Sequence, residues 1–236
     1  MRKAIQNRIS VRSYSKLELS ENEIDKINDL IKNINSISDL NLELLKDGSS
    51  AFKNFKTSYG MFSNVKSMIL MKGNKQDKFL KEKIGYYGEA MIFDLTDMDI
   101  GTCWVGGTFD RTAISLKEDE ELVCVILVGH QTSSIKDELI RKAMHMKRKT
   151  IKERIVADKD LPNWIKDGLE SLILAPSAKN TQKAILKYEK DNLRISIDEN
   201  YYFDLVDLGI AKKHFEEVVN GKFELGNDAL FHKNLD

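Results

Sequence analysis

Proline is nearly absent from this sequence: Pro162 and Pro176 are the only two in 236 residues, and no glycine- or serine-rich linker appears. A chain with so few breaks reads as one continuous α+β body without a clean domain seam. Cysteine is equally scarce. Cys103 and Cys124 lie far apart in apolar surroundings and show no Cys-x-x-Cys spacing, which argues against a disulfide framework or a zinc site. Net charge is also missing, because 37 lysines and arginines balance 37 aspartates and glutamates. A nucleic-acid-binding chain usually carries a basic excess, so any cationic site here must be local. No apolar run approaches the roughly 18 residues of a membrane span. The stretch Met1–Asn7 is charged but has neither the apolar core nor the cleavage site of a signal peptide. Neither nucleic acid nor membrane is expected as a partner, and a cytoplasmic location is expected. The four histidines show no metal-ligand spacing, so no metal site is expected and structural or surface roles suit them better. A paired acid/base motif, a nucleophile with its base, a Gly-x-Gly-x-x-Gly fingerprint and a Walker loop are all missing. With no catalytic side chain in view, a cofactor would carry any chemistry.

What is present has clear periodicity. Ser20-Glu21-Asn22-Glu23 is a capping box, and Ile24, Ile27 and Ile31 follow it on one helical face. Strands are expected at Asn41 to Leu45 and Val65 to Met71. Ile84, Tyr87, Met91, Leu95 and Met98 mark one face of a long helix from Phe79 to Met98, with Gly88 and Ala90 placed for close packing. A glycine-rich turn, Gly101 to Gly107, leaves that helix. The β-branched run Leu122 to Val128 has the profile of a strand buried on both faces. A capped helix is expected from Ser134 to about Met146. Pro162 suits the first turn of another helix, which stops at Ala175-Pro176-Ser177 because proline disfavours helical geometry in the residue before it. Strands at Ala184 to Tyr188 and Leu193 to Ile197 and a helix from Tyr202 to Val219 complete the pattern.

Three segments could carry chemistry. In an extended stretch Arg8, Ser10 and Arg12 point to one side, where two guanidinium groups flanking a hydroxyl suit a phosphate; a solvated basic strand explains them as well. Ala175 to Gln182 combines small residues with the amides of Asn180 and Gln182, which can meet a planar polar ring, or it is a plain helix-terminating loop. Gly101 to Gly107 could present backbone N–H groups to a ligand, or it is a tight turn around Trp104. There is also an internal echo. Arg8-Ile9-Ser10-Val11-Arg12 returns in kind as Arg148-Lys149-Thr150-Ile151-Lys152, each followed by a helix, strands and a long helix containing Gly-x-Ala (Gly88 to Ala90, Gly209 to Ala211). The echo divides the chain into a first half, 1–146, and a truncated second half, 147–236.

Taken together, the segments resemble the FMN-dependent nitroreductase family. Its signatures are matched here by the helix and Arg-x-Ser-x-Arg at Ile5 to Arg12, by Ala-Pro-Ser-x-x-Asn-x-Gln at Ala175 to Gln182, and by Asp99-Ile100-Gly101-Thr102-Cys103-Trp104-Val105-Gly106. Val128-Gly129 and the basic cluster Lys147-Arg148-Lys149 complete the set. The order departs from the ordinary family, in which the Ala-Pro-Ser motif follows the first helix, near Asn33 to Asp39 here. The chain looks like the variant branch in which one internally duplicated chain forms a pseudo-dimer. The resemblance implies a nitroreductase-like mixed sheet flanked by helices and one FMN, with reducing equivalents passed from NAD(P)H to a nitroaromatic, quinone or similar acceptor in a ping-pong cycle. It further implies that Arg8, Ser10, Arg12, Lys147, Arg148 and Lys149 hold the FMN phosphate and that Pro176, Ser177, Ala178, Asn180 and Gln182 line the ring. The backbone of Trp104, Val105, Gly106 and Gly107 would meet the ring's N5 edge, where hydride arrives and leaves. The first half's phosphate motif would serve with the second half's loop, so that a monomeric chain needs no second copy. A flavin-binding protein for storage or sensing, without turnover, is the alternative.

Overall fold

The computed structural model describes residues 1–53, 61–132 and 148–234. The helices are α1 (Lys3–Asn7), α2 (Glu21–Ser38), α3 (Leu80–Asp97), α4 (Asn163–Leu174) and α5 (Asp204–Glu216). The strands are β1 (Glu43–Leu45), β2 (Ser67–Asn74), β3 (Gly101–Val105), β4 (Glu120–Gly129), β5 (Ile155–Ala157), β6 (Ile185–Glu189), β7 (Asn192–Ser196), β8 (Gly221–Phe223) and β9 (Ala229–Lys233). Local chemistry sets most of these limits. Ser20 caps α2 by accepting the Glu23 amide, and the Glu23 carboxylate accepts the Ser20 amide in return, so two otherwise orphaned donors are paired. At its other end Asp39 adopts the left-handed conformation, with φ of 59°, and stops the helix. The expected helix after Ser134 lies outside the described residues.

The fold is α+β, and the chain divides into two compact units where the sequence shows no linker. The first unit comprises Asn7–Leu80 and Met91–Ala143, and the second comprises Met1–Gln6, Lys81–Ala90 and Met144–Asp236. The boundary read from the echo, between residues 146 and 147, falls outside the described residues.

In the first unit β1, β2, β4 and β3 form an antiparallel sheet in that order. Strand β4 is central, and Val123, Val125, Ile126 and Leu127 are fully buried, as a strand covered on both faces requires. Gly101 to Val105, expected as a turn, is strand β3; the turn begins only at Gly106. The alternation of Thr102, Cys103, Trp104 and Val105 satisfies a ladder with β4 that the glycines at either end had disguised. Cys103 and Val105 pack into the core with Met68, Leu70, Val125 and Leu127.

In the second unit β5, β6, β7, β9 and β8 form a mixed sheet in that order, with β5 parallel to β6 and the other pairs antiparallel. Strands β5 and β8 escape sequence reading because each has three residues, and short strands gain their identity from partners; β9 is not expected either. Leu169 and Leu172 of α4 and Leu208 and Phe215 of α5 share a core with Leu186 and Ile195 of the sheet. Phe215 meets Phe223 and Phe231 with ring centroids 5.4 and 5.2 Å away. The N-terminal half of α3 also belongs to this unit. There Gly85 of α3 and Gly209 of α5, the glycine of the second Gly-x-Ala pair, permit close approach of the two helices: a Cβ on either would stand 2.0 Å from a carbonyl oxygen of the other helix.

Candidate functional site

In the first unit Arg8 to Arg12 runs extended along the outer edge of β3. Ser10 pairs with Thr102 in a parallel bridge, and the Val11 amide donates to Thr102 O at 2.8 Å. The segment covers an edge that would otherwise offer unpaired backbone groups. Neighbouring bonds fix it firmly: Tyr14 Oη donates to Val11 O at 2.9 Å, and the Ser63 amide donates to Arg12 O at 2.9 Å. Arg12 is 9% exposed, yet its Nε is buried without a hydrogen-bond partner. Among the described residues its Nη1 reaches only the carbonyl of Ser10, at 3.3 Å. A guanidinium that has left water without full pairing is costly, and an incoming acceptor would offset the cost.

Trp104, Val105, Gly106 and Gly107 continue from the neighbouring strand. The Val105 side chain is committed to the core, so only its backbone is available to a ligand. A Cβ built on Gly107 meets nothing within 4 Å; the backbone there is uncovered.

In the second unit the loop from Ala175 to Gln182 is strained. Lys179, Asn180 and Gln182 hold φ values of 52°, 55° and 50°, the left-handed region that non-glycine residues rarely enter. Such strain persists only where surroundings over-determine the backbone, and it gathers at functional sites. The restraints are visible. Ser177 Oγ accepts the Gln182 amide at 2.9 Å, and Ser177 O accepts that of Asn180 at 2.9 Å. Both carboxylate oxygens of Asp207 accept the Ala178 amide, at 2.9 and 3.0 Å. Gln182 is 3% exposed; its Oε1 accepts the Lys149 amide and its Nε2 faces Asn180 Oδ1. The glutamine therefore braces the loop from within, while Pro176, Ser177, Ala178 and Asn180 are only partly buried.

The basic cluster divides. Lys147 lies outside the described residues, and Arg148 Nη1 donates to Ile173 O at the end of α4. The echo pentapeptide has its own use: the amide and hydroxyl of Thr150 both donate to Glu153, at 2.8 Å each, capping a short 3₁₀ turn. A carboxylate of the chain itself thus takes both Thr150 donors.

Comparison with known proteins decides the family. A family model described as "Putative TM nitroreductase" matches residues 1–218. The chain belongs to the nitroreductase family.

This nitroreductase-family chain is also similar to a solved "putative nitroreductase" from Thermotoga maritima, with 25% identity and a TM-score of 0.63, over 97% of this chain and 90% of that one. A described FMN-dependent nitroreductase from Clostridium difficile shows 15% identity and a TM-score of 0.48, over 62% of this chain and 98% of that one. A nitroreductase with bound FMN from Bacteroides fragilis shows 14% identity and a TM-score of 0.43, over 55% and 87%. No curated protein matches. Family membership places the chain among oxidoreductases. Among the described residues, no helix is long and apolar enough to cross a membrane, and no group of three His, Cys, Asp or Glu side chains is placed to hold a metal ion.

The nitroreductase loop is held by residues that motif reading missed. Asp204 opens α5 and accepts the amides of Asn200 and Tyr201 while gripping Lys183 Nζ at 2.9 Å. Asp207 follows one turn later on the same helix. Two acids stand in the first turn of α5, a placement that the helix dipole favours in any helix and that by itself marks no site. Arg154, which lines a small polar cavity with Pro176, Ser177, Gln182 and Asp207, had no sequence signal at all.

Burial pushes the Asp207 carboxyl up from its ordinary 3.8 to about 7, against the lowering effect of the Ala178 amide. The folded state therefore holds a proton that the unfolded chain releases between about pH 4 and pH 7, and stability falls as pH rises through that window. At 1.36 kcal/mol per tenfold change in proton affinity, the loss is on the order of 4 kcal/mol. Asp207→Asn removes this slope. The gain in Tm of the variant over the parent is expected to be several degrees larger at pH 8 than at pH 5; equal differences at both pH values would contradict a neutral carboxyl at position 207.

Proposed function

We propose that this nitroreductase-family chain binds one FMN and passes reducing equivalents from NADH or NADPH to a nitroaromatic, quinone or similar acceptor in a ping-pong cycle. The observation that carries the reading is Arg12: a buried, under-paired guanidinium beside Ser10, on an extended segment already fixed by Tyr14 and Ser63. That environment fits a terminal phosphate, which accepts forked, charge-assisted hydrogen bonds. Arg8 supplies the second cation. Lys147, Arg148 and Lys149 are assigned to the same phosphate by the family resemblance alone. In the second unit Pro176, Ser177, Ala178 and Asn180 present small side chains and polar groups on a backbone that cannot relax, which suits the edge of a flat polar ring. Gln182 supports that face from behind.

Bound FMN supplies the two-electron chemistry that no side chain here can perform. The protein's own part is to hold and orient. The two arginines would hold the phosphate, the 175–182 loop would orient the ring, and the open backbone at Gly107 would leave room for donor and acceptor in turn. The engaged state of Thr150 supports one flavin per chain, because Glu153 already fills the position an anion would need.

The test is direct. Protein purified without added cofactor is expected to be yellow, to release FMN on heating, and to contain one flavin per chain by absorbance combined with light scattering. FAD as the sole released species would remove the cofactor assignment, and two flavins per chain would remove the pseudo-dimer. Reduced nicotinamide is expected to bleach the bound flavin without oxygen, and a quinone or nitroaromatic to restore its colour. A loaded protein that neither NADH nor NADPH bleaches would instead be a flavin carrier or sensor.

A further inference from the structure

Arg154 is 2% exposed. Its Nε donates to Ala184 O at 2.8 Å, its Nη1 is buried without a hydrogen-bond partner, and no carboxylate among the described residues forms an ion pair with it. Burial and the nearby Arg148 push its pKa down to about 10, yet it stays charged at neutral pH. A guanidinium removed from water with one donor unmet and no ion pair is among the more costly arrangements a fold can hold. Bracing the Ala184 carbonyl does not explain it, since a neutral donor could do that.

Its position suggests the compensation. Arg154 shares its cavity with Pro176, Ser177 and Gln182 of the strained loop and with Asp207. The positive charge thus stands beside the loop assigned above to the flavin ring. Adding two electrons and one proton to a flavin, the content of a hydride from reduced nicotinamide, leaves one negative charge on the ring. A buried cation nearby offsets that charge with little screening. We propose that Arg154 is a positioning residue that sets the redox potential of the flavin held by the 175–182 loop, its charge favouring the reduced form. Asp207 is the opposing group. Ionised, it weakens the field of Arg154; protonated, it leaves that field intact. The other charges around the carboxyl are Lys183 from the end of the loop and Asp204 on the same helix, which pair with each other at 2.9 Å; Arg148 acts on Arg154.

The inference rests on the FMN reading, and the test separates the two. Bound flavin is reduced stepwise beside a reference dye in the parent protein and in Arg154→Met, Arg154→Lys and Asp207→Asn. Arg154→Met is expected to retain FMN, because the phosphate is anchored elsewhere, but to shift the reduced-to-oxidised ratio at least about tenfold toward oxidised, about 30 mV for a two-electron couple. Arg154→Lys keeps the charge and is expected to stay within threefold of the parent. Asp207→Asn is expected to favour the reduced form at pH 8 and to match the parent at pH 6. Should Arg154→Met fail to fold, the pH-dependent shift in Asp207→Asn decides alone. Flavin bound with the parent's potential in Arg154→Met, or in Asp207→Asn at pH 8, overturns this inference and leaves the FMN reading standing. A parent chain that takes up no flavin overturns both.

Discussion

Gly209→Val is expected to abolish folding of the second unit, or to cost more than about 4 kcal/mol in urea unfolding, a loss reserved for disruption of a core. A Cβ at this position stands 2.0 Å from Glu82 O and 2.7 Å from Tyr86 N, and one at Gly85 stands 2.0 Å from Val206 O. These neighbours are helix backbone and cannot turn aside as a side chain can. The two helices would have to part, and two buried pairs would go with them. Lys212 Nζ contacts Glu82 at 2.5 Å, and His214 Nε2 meets Glu89 at 3.0 Å, all four residues being almost fully buried. Separating them leaves the Lys212 and Glu82 charges uncompensated in a dry interior and breaks the His214–Glu89 contact. Gly107→Ala serves as the control, since its Cβ enters open space, and is expected to change stability by less than about 0.5 kcal/mol. A Gly209→Val protein as stable as the control would show that the helices do not approach this closely.

The second large effect concerns ligand binding alone. Arg12→Ala is expected to lower FMN affinity about ten- to a hundredfold, the worth of a charge-assisted hydrogen bond of roughly 1.5–3 kcal/mol. Arg8→Ala is expected to fall in the same range. The fold should persist, because Arg12 holds its neighbours through its backbone: the Ser63 amide donates to its carbonyl, a bond that alanine keeps. Removing a buried, under-paired guanidinium also relieves a local cost, so the melting temperature of the flavin-free variant should not fall. Flavin titration with circular dichroism as the folding control measures both. Unchanged affinity in both variants would mean that the pentapeptide only covers the edge of β3.

Elements with a local cause were legible from residue order. The capping box at Ser20 and Glu23, the isoleucine stripe of α2, the long α3 and the buried run of β4 follow from side-chain periodicity and short-range hydrogen bonds, and they stand where expected. The nitroreductase family was equally legible, because its motifs are contiguous in the chain. Gly101 to Val105 misled: glycines suggest a turn when read alone, and only pairing with β4 makes a strand of them. The echo at Arg148 to Lys152 was visible as a pattern, but its hydroxyl serves Glu153, three residues ahead, and only the folded turn shows it.

Tertiary structure alone decided the environment of the site. Burial turns Asp207 from an ordinary helix-start acid into a carboxyl near neutrality, and it turns Arg154 from one of 37 basic residues into a guanidinium with an open donor. It also makes Gln182 a brace, because its Oε1 meets the Lys149 amide across 33 positions of sequence. The physical reason is common to all three. Desolvation and long-range pairing depend on what surrounds a residue in space, and no spacing along the chain records that.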